Sequence, residues 1–278
     1  MDLITSKVEY IPQAEGLDGV FKQIEIASRT CYKSEDKITE DSAKDFVYKM
    51  IRSKHNAMLA HGTVYLKFPL AHRILFEYFM HNQFSKVVYT DDCAYVTTNY
   101  RVIVENNLDF ELEYLCNPTE YHEQRFTFRI TSDRAILNEA VRNNGVYRNA
   151  FAQESTRWID YFKKKGIEVS IAFVKPYWYD EANWIKKLVL RSAYKASELF
   201  YKLLRRLGCT PQQARVVLVL GLKSELVMTA MLSDWEDFLD KRLKGTTGAP
   251  HPDMRLIAAE IEKRLITTEI DEKLNLKE

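Results

Sequence analysis

The chain has 278 residues, 46% hydrophobic and 28% charged, proportions ordinary for a globular protein in water. Its 40 Lys and Arg nearly cancel its 39 Asp and Glu, so no global field is present to hold a long nucleic acid, and a small-molecule enzyme is favoured. There is no apolar run of the ~18 residues a membrane span needs, no secretory leader at Met1 and no C-x-x-C pair among four scattered cysteines, so a cytoplasmic protein with free thiols, no membrane and no nucleic-acid partner is expected.

Alternation over residues 3–11 predicts an opening strand. Val20, Ile24 and Ala27, and then Phe46, Met50 and Ile51, recur at helical spacing. Val64, Leu66 and Phe68 predict a strand over 62–68, followed by a helix over 71–82 and short strands at 87–89 and 94–97. Phe126, Phe128 and Ile130 alternate with Thr127, Arg129 and Thr131, as in a half-buried strand. Ser132 and Asp133 then offer an N-cap for a helix carrying Ile136, Leu137, Ala140 and Val141 on one face. Residues 184–207 predict the longest helix, stopped at Gly208. Pro211 restarts a helix through Val217, and helices from Ser233 and Pro252 close the chain. Strands and helices mix without β-α-β regularity, and 9 Gly and 7 Pro leave little for linkers. One α+β domain over residues 1–278 is expected, not a doubly wound sheet.

The run Phe-Ala-Gln-Glu-Ser-Thr-Arg at residues 151–157, followed by Trp158, gives neither a helical stripe nor a strand alternation. A polar cluster with one cation between large apolar groups suits a partly buried site for a small polar molecule. Its ordinary alternative is a polar loop capping a helix. Pro211-Gln-Gln-Ala-Arg215 reads as a helix start with a solvated arginine or as a second piece of that site. Trp235, Phe238, Leu239 and Arg242 stand at i, i+3, i+4 and i+7, which puts Arg242 on an apolar face. There it needs an anion or a set of acceptors, or else it caps the helix C-terminus while its stem snorkels. His55 and His61 flank Met58-Leu59 at a spacing that suits no metal motif, so no metal site is expected. Residues 244–248 lack the full phosphate-loop spacing and read as a connector.

Taken in order, these blocks resemble the flavin-dependent thymidylate synthase family. The likeness runs through Ala-Ser-Arg-Thr-Cys-Tyr-Lys-Ser at 27–34, His-Asn-Ala-Met-Leu-Ala-His at 55–61, Thr-Ser-Asp-Arg-Ala at 131–135 and Val-Arg at 141–142. It peaks at 151–157, and resumes at 211–215, 222–229, 235–242 and 251–255, while 69–125 and 160–205 carry no motif. The resemblance implies a homotetramer with an antiparallel sheet flanked by helices and active sites between subunits. It implies C5-methylation of dUMP, with methylenetetrahydrofolate as carbon donor, reduced FAD as hydride source and methylene carrier, and NADPH to regenerate it.

By resemblance, Ser155 and Arg157 bind dUMP, with Ser155 near the reacting edge of the ring and Gln153 and Glu139 in the same substrate set. Arg215 helps hold the nucleotide. Arg242 polarises the uracil carbonyl, so Arg242 and Ser155 are the expected catalytic residues. His55, Arg142, Asn143, Met231 and Asp237 fall at positions that contact FAD. Departures gather on that flavin side: Arg-Asn-Asn stands at 142–144 where the family has Arg-His-Arg, about three extra residues follow it, and Arg148 is a candidate to restore the cation. Met231 and Asp237 replace two asparagines, and Trp158 replaces a frequent tyrosine. Two alternatives stay open: a variant pyrimidine-nucleotide C5 methyl or hydroxymethyl transferase with altered or lost flavin binding, and a non-catalytic nucleotide-binding subunit.

Overall fold

Two long strands with a two-residue apolar period organise the molecule. The computed structural model describes residues 1–142, 148–164 and 166–275, with side chains through residue 268. In chain order its elements begin with β1 (Asp2–Ile4), β2 (Lys7–Tyr10), α1 (Gly16–Tyr32), α2 (Ser42–Arg52), β3 (Thr63–Pro69) and α3 (Arg73–His81). There follow β4 (Lys86–Tyr89), β5 (Cys93–Asn99), α4 (Tyr100–Glu105), β6 (Arg125–Asp133), α5 (Arg134–Val141) and β7 (Ala150–Gln153). The chain continues with β8 (Lys163–Lys164), β9 (Ile167–Glu168), β10 (Ala172–Val174), α6 (Trp184–Arg206) and α7 (Pro211–Ala214). It closes with β11 (Lys223–Met231), α8 (Leu232–Leu239) and α9 (Pro252–Asn275).

The main sheet has the order β2-β6-β11-β7, antiparallel throughout. Val8, Phe126, Phe128, Ile130, Leu226, Met228 and Ala230 line one face, and α5, α8 and α9 cover it. Asp133 caps α5 by accepting from the Ile136 amide at 2.9 Å. Trp235 of α8 is fully buried, its indole N–H donating to the Phe126 carbonyl at 3.1 Å. On the other face Val227 and Ala152 meet Ala27 and Cys31 of α1. The second sheet, β3-β5-β4, is antiparallel too, and its core includes Val20, Phe21 and Ile24 from the other end of α1. One helix therefore serves two cores. Gly62 lets the chain pass this joint, since a Cβ there would stand 2.6 Å from Val20 Cγ1 and 2.7 Å from Ile24 Cδ1.

The expected α+β mixture with antiparallel sheets is what forms, with three differences. The opening strand is two: β1 pairs in parallel with β10 while β2 joins β6 antiparallel, so one edge of the fold is parallel. The longest helix is α9 at 24 residues, one more than the 23 of α6. Residues 150–153 are a strand, because they pair antiparallel with β11 from Leu226↔Gln153 to Thr229↔Ala150, with Ala152 packed beneath α1. No helix among the described residues is long and apolar enough to cross a membrane.

His61 is fully buried under this joint, with Nδ1 2.9 Å from the Thr229 hydroxyl, itself 2.8 Å from Thr127 Oγ1. Burial, helped by the charge of Arg125, pushes its pKa down from 6.5 to about 3. The folded state thus binds fewer protons than the unfolded one below pH 6.5, and stability is lost as the pH falls through that window. This group should contribute a slope approaching about 1.4 kcal/mol per pH unit in urea unfolding between pH 6.5 and about 3. His61→Gln should flatten it, and an unchanged slope in that variant would contradict the assignment.

Candidate functional site

The chain leaves β7 through a turn that the main sheet and α1 hold from two sides. The Glu154 amide extends the ladder by donating to the Glu225 carbonyl at 2.8 Å, and the Ser155 amide then donates to the Cys31 carbonyl at the end of α1, at 2.9 Å. Ser155 closes the turn locally: its carbonyl accepts from Ile159 at 3.1 Å and its hydroxyl from the Arg157 amide at 3.3 Å. Residues 155–157 are thereby fixed as a compact unit.

A second segment meets this turn. Thr210 and Gln213 form a reciprocal capping box at the start of α7, with Pro211 in the first helical turn. This aims Gln212 and Arg215 at residues 156 and 157. Arg215 Nη1 donates to Thr156 Oγ1 at 3.2 Å, and Arg157 Nε donates to Gln212 Oε1 at 3.2 Å. The Arg157 guanidinium lies 5.8 Å from the Trp158 ring centroid. Both arginines are exposed, and among the described residues neither forms an ion pair with a carboxylate. Two guanidiniums with unspent donors beside two hydroxyls form a grip for a phosphate or similar anion.

Behind the turn lies a network that the sequence did not disclose. Glu154, only 3% exposed, accepts from Lys223 Nζ at 3.0 Å and from the Tyr161 hydroxyl at 2.8 Å. Lys223 also pairs with Glu225, which pairs in turn with Lys33. Burial alone would lower the Lys223 pKa, but the Glu154 and Glu225 charges outweigh it and raise it. Burial would raise that of Glu225, but Lys223 first and Lys33 after it hold it below the ordinary range. The strand period carried the available signal, since Lys223 and Glu225 stand at i and i+2 on one face of β11. A cavity of about 720 Å³, lined by Tyr32, Lys33, Trp158 and Tyr161 among others, opens over this network beside the arginine grip.

The other expected site residues are dispersed within the chain. Gln153 faces Leu226 across the ladder and keeps a buried Nε2 without a partner. Arg242 lies past the end of α8 in the π-helical turn Asp240–Lys244, where it donates to the Glu139 carboxylate and the Glu139 carbonyl, both at 3.1 Å. The anion that its apolar face called for is therefore Glu139 of α5, while its Nε is buried and unpartnered. This pair sits in the α5–α8 layer, away from the α1 side of the sheet that anchors Ser155.

On the expected cofactor side, Met231 is buried at the start of α8 and Asp237 is paired with Lys241 at 2.6 Å. His55 is exposed on the turn after α2, and Arg142 is exposed at the end of α5. Asn143 lies outside the described residues, as does Asn144. Arg148 is engaged with buried Asp234 at 2.9 Å.

The fold is α+β, and the site presents two guanidiniums and two hydroxyls whose remaining donors can meet an anion. The chain belongs to the family described as thymidylate synthase complementing protein, whose family model matches residues 118–268, more than half of the chain. Among solved structures it is similar to two of a UMP/dUMP methylase PolB from Streptomyces cacaoi, one bound with 5-Br dUMP and one with 5-Br UMP. Each is 15% identical with a TM-score of 0.47, over 96% of this chain and 93% and 92% of those chains. No curated protein matches the sequence.

The buried network yields a stability test. Glu154→Ala would strip Tyr161 of its acceptor and leave Lys223 with Glu225 alone, and should cost about 3–5 kcal/mol in chemical denaturation. Glu154→Gln should cost less, because its amide oxygen still accepts.

Proposed function

We propose that this chain methylates dUMP at C5 to give dTMP. In this reading methylenetetrahydrofolate would be the carbon donor, and FAD, when bound in reduced form, would supply the hydride, with NADPH as the reductant. The observation that carries this is the meeting of Ser155, Thr156 and Arg157 with Gln212 and Arg215, all inside the segment matched by the family.

In this reading Arg157 and Arg215 hold the nucleotide phosphate, and Ser155 borders the ring. Arg242, oriented by Glu139, polarises a uracil carbonyl and stabilises the charge that builds as C5 becomes nucleophilic. A nucleotide that touches both Ser155 and Arg242 spans two subunits, which the homotetramer implied by the family resemblance would supply.

The flavin side fits less well. Within one chain the described candidates form no cradle: Met231 offers no N–H or O–H donor, Asp237 is committed to Lys241, and His55 and Arg142 are exposed on separate elements. This favours, as a second reading, a variant pyrimidine-nucleotide C5 methyl or hydroxymethyl transferase with altered or lost flavin binding.

Incubation with dUMP, labelled methylenetetrahydrofolate, FAD and NADPH separates the two. Labelled dTMP, and a flavin spectrum bleached by NADPH, is the expected outcome. Colourless protein that binds dUMP but yields a different C5 product would replace the first reading with the second, and failure to bind any pyrimidine nucleotide would sink both. Arg215→Ala should weaken nucleotide binding roughly tenfold or more, as loss of a charge-assisted bond does. Arg242→Ala should abolish turnover while nucleotide affinity, read by calorimetry, changes little.

A further inference from the structure

Arg125, at the start of β6, is a buried cation without a counter-charge of its own. It is 8% exposed, and among the described residues no carboxylate lies within ion-pair distance of it. Asp234 acts on it only at longer range, and that carboxylate is already held by Arg148 at 2.9 Å. The Arg125 guanidinium donates to the Thr63 hydroxyl at 3.4 Å and to the Ala60 carbonyl at 3.1 Å. Both acceptors are neutral. They satisfy N–H groups but leave the charge uncompensated, and a buried charge in that condition is costly. Burial lowers the pKa of the group from 12.5 to about 10, so it stays charged at neutral pH.

The same side chain lines a cavity of about 200 Å³ at the joint of the two sheets. Its walls come from the end of β2, the start of α1, β3 and residues 115–118, and they carry the polar side chains of Gln13, Tyr65, Asn117 and Gln124. Glu15 is the one carboxylate among the lining residues; it is exposed and forms no ion pair with Arg125. α1 begins against this wall with Glu15 and Gly16. Glu15 makes no side-chain bond to the first helical turn, so the positive end of the helix borders the cavity uncapped.

We propose that this cavity binds a small oxyanion of phosphate size, held by the Arg125 guanidinium and the amino-terminal end of α1. The helix end alone would decide nothing; the buried guanidinium is what requires an anion, and the two together make a phosphate-type site. The cavity is smaller than the ~300 Å³ at which sites for drug-sized ligands begin, so it suits an ion such as phosphate and excludes a nucleotide. It is separate from the grip at Ser155. Along β11, Glu225 holds the Glu154 amide while Met231 faces Arg125, which sets the two places about 20 Å apart on the strand. The proposal therefore holds whichever reaction the grip serves. An ion bound here joins α1, β3 and β6 where both cores meet, so its effect falls on stability.

Thermal unfolding of the full chain in millimolar phosphate, against chloride of equal ionic strength, reads the site. The native midpoint should rise by about 2–4 °C at saturation, and Arg125→Met should abolish the rise. Gln124→Glu, which supplies a carboxylate from the chain itself, should raise the midpoint in chloride and remove the response to phosphate. Phosphorus NMR gives a reading independent of unfolding: the phosphate resonance should broaden with the native chain, and Arg125→Met should weaken binding roughly tenfold or more. A native chain that neither shifts nor broadens overturns the proposal, as does an Arg125→Met variant that keeps the full response. Arg157→Ala combined with Arg215→Ala should leave the response intact. Its loss in that variant, or displacement of phosphate by dUMP or FAD, would assign the ion to a nucleotide site and overturn the separate one.

Discussion

The register of β11 between β6 and β7 is the constraint on which the rest depends. Side chains alternate along a strand, so a shift of one residue would turn Leu226, Met228 and Ala230 out of the core and bring Glu225, Val227 and Thr229 into it. In the native register the first set meets α5, α8 and α9. The second set serves three purposes in turn: Glu225 in the ion network, Val227 against α1, and Thr229 against His61. The same ladder places Glu154, and hence the turn at Ser155, beside the end of α1.

Buried charge then decides how firmly that turn is held. Glu154 and Lys223 are each costly in a low-dielectric site, and each offsets the burial of the other, with Glu225 sharing Lys223. The side chains of Lys33 and Glu225 extend the pairing toward solvent, where its strength is screened. By contrast, the guanidiniums of Arg157 and Arg215 are kept outside this network and retain donors for an incoming anion. Structural charges and available charges are segregated within a few residues of each other.

Much of the fold was legible because its apolar periods are local. The helices around Val20–Ala27 and Phe46–Ile51, the strand at Phe126–Ile130 and the Asp133 cap all follow from neighbours in sequence. What was not legible depends on distant partners. Residues 3–11 split because Leu3 pairs with Phe173 while Val8 pairs with Ile130. The strand at 150–153 escaped notice because its inward residues are alanines, whose small side chains give no alternation. For the site, helical spacing did place Arg242 on an apolar face, but its carboxylate partner lies 103 residues away. The meeting of Arg157 with Gln212 across 55 residues likewise has no local trace. The runs at 151–157 and 211–215 stood out by composition, as a polar cluster and a second candidate piece, while the roles of Ser155, Arg157 and Arg215 came from family resemblance and not from periodicity.

The double duty of α1 has a consequence for how the chain could be shortened. The family match begins at residue 118, yet the face of β11 that carries Val227 is roofed by a helix from before that point. A fragment trimmed to the matched segment would lose the Cys31 carbonyl that ties down Ser155, along with the roof itself. The amino-terminal stretch is thus a scaffold for the very turn that the matched segment supplies, and the two parts cannot be exchanged as modules.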